Sequence, residues 1–167
     1  MPDRKRSLDN DNDEDASPQK RQHPNDETPT AGILAEVYVE NFMCHAKFRV
    51  RFSPNVNFVH GQNGSGKSAI LAAIKICMGA SARQTNRAGN LTGLIRKVGN
   101  STASKAIVRV ALWNGGPEGY QPEVYGNKVT IERTILRQGG GGYKLYDENM
   151  KEKSRSKKDL DDLLDTL

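Results

Sequence analysis

The 167-residue sequence reads as an α/β lobe, a mixed sheet built around one buried helix, behind an N-terminal tail that does not fold alone. Three observations carry that reading. Several stretches alternate apolar and polar residues at the two-residue period of a strand. One stretch, Lys67 to about Met78, has a single charged residue in its body, Lys75, the pattern of a helix enclosed by other elements. Between a short apolar run and that helix lies a glycine-rich octapeptide, GQNGSGKS, at residues 61–68.

Residues 1–30 hold one aliphatic side chain larger than alanine, Leu8, apart from Met1. Such a segment buries too little surface to offset its ordering entropy. The tail is therefore assigned to residues 1–32, with order beginning near Ile33 and the lobe running on to Leu167. The tail has basic clusters at 4–6 and 20–21 around an acidic run, which resembles a bipartite nuclear import signal, although short basic clusters are common in tails. No apolar segment follows the first basic residues, so it is not a secretory signal. No stretch reaches the roughly 18 apolar residues of a membrane span.

Two cysteines, Cys44 and Cys77, then read as reduced intracellular thiols. His23, His45 and His60 show no zinc-ligand spacing. Charge divides unevenly along the chain. Residues 1–30 carry five basic and eight acidic side chains, net −3; the remainder carries 20 and 12, net +8. That excess fits a polyanion partner or simply a basic soluble surface.

ILAEVYVENF at 33–42 alternates as a strand. KFRVRF at 47–52 alternates strictly, with Phe48, Val50 and Phe52 inward and Lys47, Arg49 and Arg51 outward. Ser53-Pro54-Asn55 makes a turn, and VNFVH at 56–60 supplies a strand leading into the glycine loop. Gly79 ends the buried helix. Residues 81–104 read as loop with a helical turn around LTGLIRK. Strands follow at 105–113 and 127–136, then a flexible hairpin tip at QGGGG and a further strand in YKLYDEN. The end is a helix start capped by Ser156, with Asp159 three residues on. Leu160, Leu163, Leu164 and Leu167 form an exposed stripe, which suggests a piece of a longer protein.

GQNGSGKS fits the phosphate-loop pattern G-x-x-x-x-G-K-[ST], which predicts a P-loop NTPase. Gly61, Gln62, Asn63, Gly64, Ser65 and Gly66 wrap inward-pointing amides around phosphate oxygens. The helix starts there, so its positive dipole end faces the same anion. Lys67 reaches the β and γ phosphates of ATP, and the Ser68 hydroxyl takes a place on Mg²⁺. Hydrolysis also needs a carboxylate at the end of an apolar strand and a group that orients water. No apolar run of four residues ends in Asp or Glu downstream, and NKVT lacks the aspartate of a guanine reader. The missing half lies outside this sequence.

LAEVYVENFMCH, VNFVHGQNGSGKSAILAAI, TNRAGNLTGLI, EVYGNKVTIERTI and YKLYDENMKEKSRSKKDLDDLL together resemble the N-terminal ATPase head segment of SMC (structural maintenance of chromosomes) proteins. The resemblance runs from about residue 33 to the end, and NFMCH and VYGNKVTIER favour the sixth branch of the family. It implies an ABC-type head assembled from both ends of a very long chain joined by a coiled coil, of which this is the N-terminal lobe. It further implies ATP and Mg²⁺ as cofactors, ATPase activity only in the full complex, and a role in chromosome maintenance and DNA repair in the nucleus. The implied partners are the fifth-branch SMC subunit, a kleisin, other non-SMC subunits and double-stranded DNA, with no membrane. Arg87 in TNRAGNL matches the family's arginine loop, although a glycine is expected directly after it, and a lone arginine in a polar loop is ordinarily solvated. His45 is expected near the nucleotide base or packed at a strand end. Lys47, Arg49 and Arg51 are DNA candidates, or else a solvated sheet face. Two other readings stand beside this one: a basic DNA-binding module with a vestigial loop, and a related ABC-type repair ATPase.

Overall fold

The computed structural model describes residues 29–167. The expectations about the tail, its import signal and His23 fall on residues 1–28 and lie outside the described residues. The first strand, β1 (Leu34–Phe42), pairs with β2 (His45–Arg51) on one side. On its other side it pairs with β5 (Lys105–Trp113), which continues through β6 (Lys128–Leu136) and β7 (Gly141–Tyr146) to β8 (Glu152–Ser154). The six-stranded order is β2-β1-β5-β6-β7-β8, and every pair in it is antiparallel. A small ribbon of β3 (Lys97–Val98) and β4 (Ser101–Thr102) stands apart. Pairing reaches back to Thr30, which bridges Gly115, so the ordered chain starts a little before the expected Ile33.

Alternation decides the two faces of the sheet. Val37 and Val39 of β1, Val108 and Val110 of β5, and Ile131 of β6 are buried on one face. Helix α1 (Lys67–Cys77) lies on that face and buries Ala69, Ala72, Ala73, Ile76 and Cys77. Three alanines on the buried side let the helix backbone approach the sheet closely. The Cys77 Sγ lies 3.5 Å from the Val108 carbonyl and 3.8 Å from that of Ile131. The helix is not enclosed all round as expected: Leu71 is 64% exposed.

VNFVH is not a strand. No regular element is formed between Phe52 and Gly66, and Val56 and Phe58 are 70% and 87% exposed. Its side chains alternate correctly, but it pairs with no strand among the described residues, and β-structure needs a partner. The helix α3 (Lys157–Thr166) corrects a second expectation. Ser156 caps it, accepting from the Lys158 amide at 3.1 Å, but Leu160 and Leu163 are fully buried rather than exposed. Asp159 does not close a capping box; its carboxylate accepts from the Ser154 hydroxyl at 2.5 Å.

The glycine run 139–141 does form a hairpin tip. An added Cβ on Gly141 would overlap the Thr134 carbonyl, so only glycine fits there. The Gly/Pro-rich connection after β5 contains a short helix, α2 (Pro122–Tyr125), which the sequence did not announce. It is held by Asn114, buried to 1% exposure. The Asn114 amide donates to the Tyr120 and Gly126 carbonyls at 2.9 and 2.8 Å and accepts the Tyr120 N–H at 2.7 Å.

Candidate functional site: the phosphate loop

The loop sits where β1, β2 and α1 converge. Gly66 is the N-cap of α1 in the left-handed region (φ 94°), and being a glycine it has no side chain with which to cap the helix. The first helical amides are thus left for an outside acceptor. Behind Gly66 stand Cys44 and His45, at the turn between β1 and β2. The His45 Nε2 lies 3.5 Å from the Gly66 carbonyl, and its ring stacks on Phe48 at 4.7 Å. His45 therefore braces the loop–helix junction from behind. It does not line the loop cavity, and of the two expectations for it the packed strand-end position is the one its contacts describe.

Lys67 folds back over the loop, its Nζ donating to the Gly61 and Gln62 carbonyls at 2.5 and 2.8 Å. The loop closes on itself through the Ser65 amide, which donates to the Gln62 carbonyl at 3.2 Å. A cavity of about 250 Å³ opens beside it. Asn63, Gly64, Gly66, Lys67 and Ser68 line one side, Met43, Cys44 and Arg87 the other. Arg87, 19 positions after Ser68 in the chain, thus faces the same space. A second cavity, of about 390 Å³, shares Met43, Cys44 and Arg87 and extends to Lys97 of β3.

The turn before Arg87 explains its position. Thr85 is buried, and its hydroxyl accepts the Arg87 amide at 3.3 Å, while Asn86 adopts a left-handed conformation. The side chain of Arg87 is left exposed at the cavity wall. Met43, Cys44 and Lys97 were not among the site residues expected from the sequence. Met43 owes its place to a positive φ (51°), which nothing in a non-glycine residue announces.

Donor types at the loop fit a triphosphate: unpaired helix amides, an ammonium, a hydroxyl and a guanidinium surround the space, with no carboxylate in the lining. The hydroxyl of Ser68, in the first turn of α1, is the available oxygen for Mg²⁺.

Lys47, Arg49 and Arg51 project from the opposite face of the sheet, as expected. Arg49 and Arg51 both approach Glu36, at 3.6 and 3.2 Å. Arg49 and Arg109 sandwich the Tyr38 ring at 5.2 and 5.5 Å, and Arg109 pairs with the buried Glu132 at 2.6 Å.

The two thiols differ in a way that is easily measured. Cys44 is exposed at the cavity, while Cys77, the last residue of α1, is buried against the sheet, where burial pushes its thiol well above the usual range. A thiol reagent is expected to titrate one cysteine in the native chain and the second only in denaturant. Rapid native labelling of both would contradict the packing of α1.

Residues 33–166 match the family described as RecF/RecN/SMC N terminal domain. The chain is 48% identical over 123 residues to structural maintenance of chromosomes protein 6 of Dictyostelium discoideum, covering 74% of this chain and 10% of that protein. Against the protein of that name from Schizosaccharomyces pombe it is 43% identical over 136 residues, covering 81% and 12%. For Homo sapiens the figures are 38% over 135 residues, covering 80% and 12%. The chain thus spans about a tenth of the length of these relatives. Its fold is shared with an SMC ATPase solved in work on ATP-driven dimerization and DNA-stimulated activation, with a TM-score of 0.66 at 24% identity, covering 80% of this chain and 78% of that one. It is shared too with an SMC head bound to the C-winged helix domain of ScpA, with a TM-score of 0.60 at 24% identity, covering 81% and 39%. The chain belongs to the RecF/RecN/SMC N-terminal domain family, as an N-terminal head segment of the SMC kind.

Proposed function

We propose that the chain is the ATP-binding half of an SMC head, completed by polypeptide from elsewhere. The observation that carries this is the convergence of Lys67, Ser68 and Arg87 on one cavity at the uncapped start of α1. Gly61, Gln62, Asn63, Gly64, Ser65 and Gly66 hold the ATP phosphates, with Lys67 and Ser68 supplying the ammonium and the Mg²⁺ oxygen. Bound Mg²⁺ would neutralise charge on the phosphates. Arg87 adds a second cation. In this reading the remaining metal ligand and the group that orients water come from the C-terminal lobe and a partner head. An apolar patch of Leu34, Phe52, Val59, Ile70, Leu71 and Ile74 beside the loop is the seat for that lobe. By this reading the chain alone does not turn over ATP.

The names of the relatives support action on chromosomes. Heterodimerisation with the fifth-branch SMC subunit, a kleisin and other non-SMC subunits, nuclear location, DNA repair and ATP-driven DNA entrapment complete the reading, with Lys47, Arg49 and Arg51 as contacts to duplex DNA. The competing reading, a DNA-binding module with a vestigial loop, draws on these same exposed cations.

Steady-state ATP turnover and DNA capture by the assembled complex separate the two. Lys67→Ala is expected to lower turnover at this site by roughly two orders of magnitude, as loss of one preorganised cation does, and to abolish ATP-dependent capture. Capture unchanged by Lys67→Ala and insensitive to ATP would establish the module instead.

A further inference from the structure

Beyond the C-terminal end of α1, away from the phosphate loop, lies a cavity of about 450 Å³. The end of α1, the start of β7 and the start of α3 enclose it. Its walls carry three cations, Arg133, Arg155 and Lys157, and no carboxylate among the described residues lines it. The 11 residues of α1, about 16 Å of helix, separate it from the phosphate loop.

Arg133 sits on β6, directly opposite Tyr143 of β7 in register. Its guanidinium lies over the Tyr143 ring at 4.3 Å, and the Tyr143 hydroxyl donates to the Ile76 carbonyl at 3.3 Å. The guanidinium is therefore held in place by the fold itself. Yet its Nε is fully buried and has no hydrogen-bond partner among the described residues. A buried donor left unmade is costly, and an incoming acceptor relieves that cost. Lys157, the first residue of α3, is exposed. Neither it nor Arg133 forms an ion pair among the described residues. Arg155 is already engaged: Glu152 accepts from its Nε at 2.5 Å and pairs with Lys144 at 2.8 Å. Two carboxylates of α3 stand nearby. Asp159 accepts from the Ser154 hydroxyl, and Asp161 adds to the rise that burial causes in the Tyr143 hydroxyl, but neither pairs with Arg133 or Lys157.

Two unpaired cations thus stand on different walls, one on β6 and one on α3. Main-chain donors add to them: β8 pairs with β7 only at Leu145 and Tyr146, so the β7 edge from Gly141 to Lys144 has no strand beside it among the described residues. A carboxylate brings one charge in one plane. A phosphate group brings up to two charges and three acceptor oxygens, enough for a guanidinium fork and an ammonium together. We infer that this cavity is a second anion site, which takes a phosphate group on Arg133 and Lys157, with Arg155 adding charge. A free phosphate ion and a small phosphate monoester both carry that group. The site needs neither ATP nor a partner head, so it stands or falls apart from the proposed function.

Backbone amide and arginine Nε–H signals of the full 167-residue chain, followed by NMR at constant ionic strength, test this. The probes are inorganic phosphate and O-phosphoserine, at a pH where both phosphates are dianions, with serine as the phosphate-free control. Both phosphates are expected to shift Gly141 to Tyr143 and the Arg133 Nε–H saturably at millimolar concentration, and serine is not. The probe with the lower half-saturating concentration identifies the source, ion or ester. Shifts at Gly61 to Ser68 report the phosphate loop and are read separately. Lys157→Gln, a change on an exposed side chain, should raise the half-saturating concentration about tenfold. Arg133→Met keeps an apolar stem and a sulfur on the Tyr143 ring without the charge, and it should abolish the response. Unaltered amide exchange in β5 shows that each variant is folded. A linear response to both phosphates, an equal response to serine, or a half-saturating concentration that Lys157→Gln leaves unchanged would overturn the site.

Discussion

Gly66→Ala is expected to abolish nucleotide binding and to destabilise the lobe at once. Gly66 has φ 94°, a conformation that costs an alanine about 1–2 kcal/mol. The added Cβ would also overlap the His45 imidazole and the Cys44 Sγ. Neither can move away cheaply. Next to them the Met43 amide donates to the Leu94 carbonyl at 2.7 Å, and Phe42 bridges Ile95. The loop must yield instead, which turns the first amides of α1 away from the phosphates. Urea unfolding should show a loss of about 2–4 kcal/mol, strain and overpacking together. Adding His45→Ala should relieve the larger part of the overpacking and leave the Cys44 contact and the backbone strain, so stability recovers in part while nucleotide binding does not. Wild-type affinity in Gly66→Ala would show that the loop conformation is not what binds.

Two phenylalanines in similar-looking strands should behave oppositely. Phe42 is fully buried, between β1 and the segment around Leu94 and Ile95, and it anchors the turn that carries Cys44 and His45. Phe42→Ala is expected to cost about 3–5 kcal/mol, a large share of the whole stability of a lobe this size. Phe58 is 87% exposed, and Phe58→Ala should stay within about 0.5 kcal/mol in the isolated chain. Urea midpoints of the two variants decide this. A large loss for Phe58→Ala would mean that 56–60 is a paired strand after all.

Elements whose partners lie close in the chain were legible. Strand β5 was read at its observed bounds and β6 within one residue, because strict alternation and a hairpin pairing leave one register that buries Val108, Val110 and Ile131. The loop was legible because its chemistry demands residue types at fixed spacing. The segment 56–60 was misread for the opposite reason: alternation specifies a face, but it does not say whether a neighbouring strand exists. The leucines of α3 were read as exposed because their partner surface is built from distant parts of the chain. Asn114 and Thr85 gave no signal, since a buried polar side chain that ties a loop together looks like any turn residue. The candidate site was half legible. Arg87 was placed through the family resemblance rather than through its local sequence, and Cys44 was missed because its position depends on the non-glycine left-handed residue Met43 beside it.

Backbone amide shifts of the 167-residue chain, followed by NMR during titration with Mg²⁺ and a non-hydrolysable ATP analogue, bear on the loop itself. Saturable shifts should centre on Gly61 to Ser68, extend to Arg87, and disappear in Lys67→Ala. No shifts at millimolar analogue, or saturable shifts confined to surfaces away from the start of α1, would contradict a triphosphate held by these amides.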